Sequence, residues 1–327
     1  SNLYVRGAYA EFMSLCLIPW VLLATESLRT KKQVIFGSIV LALFVLSHNL
    51  IPIIALPLIF IWMLFHNQKS LRQLVLTIIL GIGLSAWFTL PVFFERGFTQ
   101  TDVIAKTTDY ALHFVYPQQL WNSTWGFGGS APGVEDGMSF KLGKIQLLLA
   151  LVSLLVAWRK KNRPVLYLGL FIIITTLLSL PVSKMIWDRL SLLQLVQFPW
   201  RALGLSTIFM ALVSPYLLTL TSSKTLRLIV ILPLLIIIPL FNFKYLAPQS
   251  IDLSSQDDPN IALQDLPDIS TTIPEYAPIW LKKNEIDLSE HIQLYMPPGI
   301  NSNEESVDLQ GLMPWGYQFD LIASNSG

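Results

Sequence analysis

Charged residues are scarce in this chain. Of its 327 residues only 13% are Asp, Glu, Lys or Arg, whereas 53% are hydrophobic and the mean hydropathy is +0.56. Soluble chains average about 25% charged residues, so there is too little charge here to cover a water-soluble globule of this size. The shortage excludes an intrinsically disordered chain and indicates that part of the surface faces a second, apolar solvent.

Cysteine and the common motifs of soluble enzymes are also missing. Cys16 is the single cysteine, which excludes a secreted domain held together by disulfides. The chain has no G-x-x-x-x-G-K-[ST] loop, no H-E-x-x-H and no C-x-x-C. Its four histidines are too far apart for a metal-ligand spacing, so we predict no metal site. The cofactor is left open, a divalent metal included. No basic patch interleaved with aromatics is present, so we expect no nucleic-acid partner.

What the chain does contain is a set of long apolar runs separated by short polar loops. A spanning helix needs roughly 20 mainly apolar residues. Residues 1–244 therefore predict an all-α polytopic membrane domain whose partner is the lipid bilayer. The eight predicted transmembrane helices are 8–25, 33–49, 51–66, 73–94, 144–158, 164–182, 202–221 and 227–243.

The basic residues are sorted among the loops. The loops at 26–32, 66–72, 159–163 and 222–227 carry eleven Lys or Arg and one acid, Glu26. These loops fall on every second turn of the eight-helix arrangement, so all four lie on one side, which the positive-inside rule makes cytoplasmic. The opposite face then receives the N-terminal end of the chain, the tail, and two loops at 95–143 and 183–201.

The tail from residue 245 differs in charge and pattern. Residues 1–244 hold 20 Lys or Arg against 8 Asp or Glu, whereas residues 245–327 hold 2 against 13. The tail lacks helical periodicity, and short runs alternate with Pro, Asn, Gly and Ser. We predict that 245–327 is the start of a mixed or β-rich, acidic extracytoplasmic domain. The chain also lacks an initiating Met, so a fragment of a larger membrane protein is expected.

Ionisable residues at the extracytoplasmic boundary are the candidates for chemistry. Arg6, Arg96 and Arg201 share a predicted depth there, and the planar guanidinium is suited to binding phosphate. Candidates for acid–base catalysis at or near the same level are Glu11, Glu95, His48 and Asp109, with His113 close by. Such a site suits a phosphate-bearing lipid whose head group undergoes acid–base chemistry.

Each candidate also has a purely structural interpretation. Arg6 could pair with Glu11 to hold the end of the first helix. His48 sits in a Ser-His-Asn turn that could cap the second helix. Glu95 and Arg96 could be ordinary interfacial charges at a helix end. Arg201 could extend towards the head-group region. The amphipathic stretch within 183–201 could likewise be only an interfacial anchor.

Four short segments carry a resemblance to a known family. They are Tyr4-Val-Arg-Gly-Ala-Tyr-Ala-Glu-Phe12, Leu46-Ser-His-Asn49, Phe198-Pro-Trp-Arg201 and Pro274-Glu-Tyr-Ala-Pro278. With them the chain resembles bacterial multi-spanning proteins labelled "6-pyruvoyl-tetrahydropterin synthase-related domain, membrane protein". Those proteins look like relatives of the GT-C superfamily of polytopic glycosyltransferases. The chain has no histidine zinc cluster, so the resemblance does not imply pterin chemistry.

The resemblance implies a location and an activity. It implies a multi-pass protein of the bacterial cytoplasmic membrane that takes a sugar from a polyprenyl-phosphate donor at the outer leaflet. Arg6, Arg96 and Arg201 would then hold phosphate, and Glu11 or Glu95 would position an acceptor or a metal. Two alternatives stay open: a transporter or flippase of an envelope lipid or polymer, and a non-enzymatic membrane module.

Overall fold

The computed structural model describes two compact units, which are taken separately. The described residues are 7–26, 28–66, 70–99, 109–126, 130–134, 136–246, 311–312 and 318–319. One unit comprises Ser1–Phe94 and Ala105–Gln249, and the other comprises Glu95–Ile104 and Ser250–Gly327. The candidate Arg6 and the segment 274–278 lie outside the described residues.

Helices form nearly all of the described regular structure. Each of the eight predicted apolar segments is helical, with ends within a few residues of the prediction. The α-helices are α1 Tyr9–Thr25, α2 Lys31–Ser47, α3 Ile51–His66, α4 Leu71–Glu95, α5 Pro117–Trp121, α6 Lys144–Arg159, α7 Arg163–Ser179, α8 Lys184–Arg189, α9 Ser191–Gln194, α10 Ala202–Val213 and α11 Lys224–Asn242. A 3₁₀ segment, Ser214–Leu220, continues α10, and shorter 3₁₀ turns precede several helices.

Polar residues in the basic loops define where helices begin. At α2 the Gln33 backbone N–H donates to the Thr30 hydroxyl at 3.3 Å, and the Thr30 N–H donates to the Gln33 side-chain oxygen at 2.9 Å. This reciprocal capping box satisfies N–H groups that have no partner within the helix. The Asn162 side chain caps α7 and Ser223 caps α11 in the same manner.

The most extensive helix contact joins α7 to α10. The Ser206 hydroxyl on α10 lies 2.8 Å from the hydroxyl of Thr175 and 3.0 Å from that of Thr176, both on α7. Ser206 and Thr175 are fully buried. Hydroxyl pairs of this kind join helices in apolar surroundings, where few other polar partners are available.

Small residues bring α4 close to α2. The Ser38 hydroxyl donates to the Thr77 carbonyl at 3.2 Å, and a Cβ placed on Gly81 would lie 2.9 Å from Leu41. Gly81 therefore permits an approach that a larger residue would obstruct. Neighbouring Gly83 has open space around it, so the requirement is local to one face of α4.

The helix ends that lie next to the basic loops contact one another. The Trp62 ring N–H on α3 donates to the Leu22 carbonyl on α1 at 3.3 Å, and both positions precede a basic loop. Phe65, at the end of α3, stacks on Tyr167, at the start of α7, with ring centroids 4.3 Å apart. The basic ends of α1, α3 and α7 thus meet at one end of the bundle.

Several helices are long and apolar enough to cross a membrane. Within the described residues there are three, Leu71–Glu95, Pro199–Leu220 and Lys224–Asn242. A fourth is counted if Arg163–Ser179 and Pro181–Arg189, which are bent by 86° at their junction, form one broken span. The remaining predicted spans are helices of 16 or 17 residues. The prediction of an α-helical chain with membrane-spanning helices is supported, while the number eight stays a prediction.

The structure describes only a few residues of the tail. Gly311–Leu312 (β1) pairs antiparallel with Gln318–Phe319 (β2), with Gly311 opposite Phe319 and Leu312 opposite Gln318. The rest of the prediction of a β-rich domain at 245–327 lies largely outside the described residues and stays a prediction.

Candidate functional site

A cavity of about 490 Å³ lies at the end of the bundle opposite the basic loops. Its walls are the first two turns of α1, the segment 138–142, and residues 200–208 at the start of α10. Most of the lining is apolar, as at Phe12 and Leu203, but Glu11, Lys141 and Arg201 also line it. Among the described residues the cavity therefore combines an apolar wall with three charged side chains.

Glu11 and Arg201 form a buried ion pair at this cavity. The Arg201 Nε lies 3.4 Å from a carboxylate oxygen of Glu11, and the two side chains are 11% and 2% exposed. Glu11 occupies the first turn of α1, where the helix dipole favours a negative charge. Pro199 begins a 3₁₀ turn that ends at Arg201, which presents the guanidinium at the start of α10. The pairing that brings these two residues together spans 190 positions of sequence.

Aromatic rings and a carbonyl hold the Arg201 guanidinium. Its central carbon lies 5.0 Å from the centroid of the Phe198 ring and 5.8 Å from that of Trp200. One terminal nitrogen donates to the Val196 carbonyl. Because rings, carbonyl and carboxylate all contact one guanidinium, Arg201 is a fixed wall of the cavity rather than a freely moving side chain.

The loop preceding α6 folds back on itself and forms one wall of the cavity. The Met138 N–H donates to the Asp136 carboxylate at 3.1 Å, and the Thr124 hydroxyl donates to the Asp136 carbonyl at 2.6 Å. The Leu142 N–H donates to the Leu120 carbonyl at 3.1 Å. These bonds place the segment 138–142, with Lys141, over the entry of α1.

His113 joins that loop to the Phe198–Arg201 turn. Its Nδ1 lies 3.0 Å from the Ser130 hydroxyl, which in turn lies 3.5 Å from the Asp136 carboxylate. Its ring packs edge-on against Phe198, with centroids 4.9 Å apart. Burial lowers the pKa of His113 below its ordinary 6.5, while Asp136 and Asp109 oppose that effect.

The lowered pKa of His113 predicts a loss of stability in mild acid. The folded protein disfavours the charged ring, so stability is complete above the unfolded pKa near 6.5 and falls as the pH drops below it. We expect the melting temperature of the detergent-solubilised protein to decline between about pH 7 and pH 5.5, and to decline less in His113→Gln. Equal declines in both proteins would contradict this assignment.

The segment 184–196 anchors on the same loop. The Tyr110 hydroxyl donates to Asp188, and the Lys184 ammonium lies 2.9 Å from that carboxylate. Burial, then the hydrogen bond to Asp188, raises the pKa of Tyr110 to about 12. The Tyr110 hydrogen bond, then the one from Lys184, lowers the pKa of Asp188. Trp187 is fully buried and donates to the Leu178 carbonyl at 3.0 Å.

The amphipathic stretch is two short helices and not one. Trp187, Leu193 and Val196 are buried, whereas Leu190 is 52% exposed. Leu190 lies between the end of α8 and the start of α9, so the interruption of the helix falls on the one exposed residue of these four.

Four other candidate residues, His48, Asp109, Glu95 and Arg96, are not among the described residues that line the cavity. The His48 Nδ1 accepts the N–H groups of Leu50 and Ile51 at 3.1 and 3.0 Å, so His48 forms the turn between α2 and α3. The exposed Asp109 carboxylate accepts the Ala111 N–H at 2.9 Å and caps a 3₁₀ turn. Glu95 and Arg96 belong to the other compact unit.

Of the four candidates that the structure describes in this unit, it pairs Glu11 with Arg201, while His48 and Asp109 make other contacts. It adds Lys141, which the sequence reasoning missed. One sequence feature could have pointed to Lys141: it is the only charged residue in the mainly apolar stretch 138–142, which lies just before a predicted helix. In the part of the chain that the structure describes, no three His, Cys, Asp or Glu side chains are grouped so that they could hold a metal ion.

Comparison of the chain with protein-family models, curated proteins and solved structures gives no match.

Proposed function

We propose that this chain is a membrane enzyme that transfers a sugar from a lipid-phosphate carrier. The observation that supports the proposal best is the Glu11–Arg201 pair in the wall of a mainly apolar cavity. A buried ionisable pair at the end of apolar helices is costly and marks a functional site by default. The mixture of apolar wall, carboxylate and cations suits a lipid with a phosphate head group.

The chemistry assigns a role to each charge. Transfer breaks the bond between the anomeric carbon and a phosphate oxygen, and it forms a bond from that carbon to an acceptor hydroxyl oxygen. The acceptor hydroxyl loses its proton, for which the Glu11 carboxylate is the general base. The carrier leaves as a phosphate monoester, and a cation of the cavity stabilises the charge that develops on it.

The resemblance to GT-C glycosyltransferases supplies the donor class in this proposal. The donor is a polyprenyl-phosphate-linked sugar, and the acceptor is a component of the bacterial cell envelope. Arg6, Arg96 and Glu95 stay candidates on the basis of the sequence alone. Fold analogy alone cannot establish an activity, so the proposal depends on the cavity.

The proposed topology has eight spans with the basic loops in the cytoplasm, which places the cavity at the outer leaflet. We expect a cysteine at Asn162 to be labelled only from the cytoplasmic side and a cysteine at Ser130 only from outside. Both are introduced singly into a Cys16→Ala background and probed with a membrane-impermeant maleimide in intact cells and inverted vesicles. Labelling of both positions from one side would contradict the topology.

Turnover tests the function itself. The full chain is reconstituted in vesicles with a polyprenyl-phosphate sugar carrying a labelled sugar, together with an envelope extract as acceptor. Transfer releases polyprenyl phosphate and moves the label to a water-soluble or envelope-bound product. A flippase would change the leaflet of the intact donor without cleaving it, and that result would replace the enzyme proposal with the transport alternative.

A further inference from the structure

We propose that Lys141 is the phosphate-binding residue of the cavity and that Arg201 is a positioning residue for Glu11. This inference rests on the proposed function and specifies its ligand class. The ligand is an amphiphile with one anionic phosphate group and a hydrocarbon tail.

Arg201 is poorly placed to supply net charge. Its guanidinium already faces the Glu11 carboxylate at 3.4 Å and donates to the Val196 carbonyl. The ion pair is neutral as a whole, so it offers a phosphate little net attraction. The same contacts give Arg201 a second task, because they hold the Glu11 carboxylate in a single direction.

Lys141 supplies the charge that the pair does not. Among the residues that the structure describes, one carboxylate and two cations line the cavity, so these three side chains carry one positive charge in excess. Within the described residues no Asp or Glu forms an ion pair with Lys141, and its ammonium lies 5.7 Å from the centroid of the Tyr245 ring. One excess positive charge attracts a phosphate ester, both the sugar-linked diester with one negative charge and the monoester that transfer releases.

The remainder of the cavity explains why the ligand needs a tail. Below the ion pair the lining passes along α1 through Leu15 and Cys16, and along α10 through Thr207 and Ile208. A Cβ on Gly204 would lie 2.9 Å from Leu15, so glycine lets α1 and α10 approach at this point. The cavity thus has an apolar wall beside the excess positive charge of Lys141. We expect such a cavity to bind an amphiphile more tightly than free phosphate.

Binding of alkyl phosphates to the full chain in neutral detergent tests the assignment. Dodecyl phosphate, dodecanol and inorganic phosphate are titrated separately by calorimetry into wild type and variants. We expect wild type to prefer dodecyl phosphate to both other probes. Lys141→Gln should weaken its binding at least about tenfold, the effect of losing one charge-assisted hydrogen bond, whereas Lys141→Arg should retain it.

Lys144→Gln is the matched control. Lys144 lies three residues further along, and its ammonium stacks on the Trp121 ring at 4.6 Å instead of lining the cavity. Its loss should leave binding unchanged, and melting curves verify that each variant is folded. Wild-type affinity in Lys141→Gln would overturn the role of Lys141 but leave the proposed function standing. Equal affinity of wild type for dodecyl phosphate and dodecanol would contradict both.

Tight binding of inorganic phosphate would overturn the amphiphile assignment alone. The cavity would then be a site for a free anion, and its apolar wall would have another purpose.

Discussion

Replacing Arg201 by glutamine is expected to destabilise the fold by about 3–5 kcal/mol, because it removes the positive charge that faces the Glu11 carboxylate, which is only 2% exposed. For a chain of this size that corresponds to a melting temperature lower by roughly 10 °C. The measurement is thermal unfolding of the detergent-solubilised protein at neutral pH.

Two further variants separate the ion pair from ordinary packing. The double variant Glu11→Gln with Arg201→Gln should recover most of the lost stability, because a neutral amide pair needs no buried counter-ion. Lys184→Gln breaks the exposed ion pair with Asp188 and should barely change the melting temperature. A double variant as unstable as Arg201→Gln would show that packing of the arginine on Phe198 and Trp200, and not charge, accounts for the effect.

Replacing Glu11 by glutamine is expected to lower kcat for sugar transfer by about 10²- to 10⁴-fold, because the amide cannot accept the acceptor's proton. The amide has the shape of the carboxylate and can still accept a hydrogen bond from Arg201. Removing the negative charge leaves the cavity more positive, so binding of the phosphate donor should not weaken. The loss should therefore appear in kcat while KM stays constant or falls.

The matched control for Glu11 is Asp188→Asn, which removes a carboxylate of the same end of the bundle from outside the cavity lining. Its turnover should equal that of wild type. Turnover by Glu11→Gln within about threefold of wild type would exclude proton transfer to this carboxylate. A parallel rise in KM would assign Glu11 to donor binding instead.

The helices could be read from the sequence because their causes are local. Apolar runs such as Ile51–His66 and capping residues such as Thr30 and Ser223 act within a few positions of chain. The apolar runs alone placed all eight helices, with bounds within a few residues once the 3₁₀ segment Ser214–Leu220 is counted with α10. The amphipathic stretch within 183–201 was not read correctly, because its sequence pattern is that of one helix and the structure interrupts it at Leu190.

The site could be predicted only in part because its causes are long-range. The predicted depth in the membrane placed Glu11 and Arg201 at the same level. Their ion pair, however, depends on how α10 packs on α1, which the sequence does not show. Lys141 reaches the cavity because hydrogen bonds such as Leu142 to Leu120 fold the loop back, and no short motif encodes that path. The contacts of His48 are local, because its ring accepts N–H groups two and three residues further along the chain. They fit a hairpin-turn role, but they lie at the start of α3 and do not cap α2.

The most direct measurement for the cavity is a structure of the protein in lipid nanodiscs saturated with dodecyl phosphate. We expect phosphate density within hydrogen-bonding distance of the Lys141 ammonium, with the Glu11–Arg201 pair intact and the alkyl chain along Leu15 and Ile208 between α1 and α10. An ordered ligand bound elsewhere, with this cavity empty, would contradict this expectation.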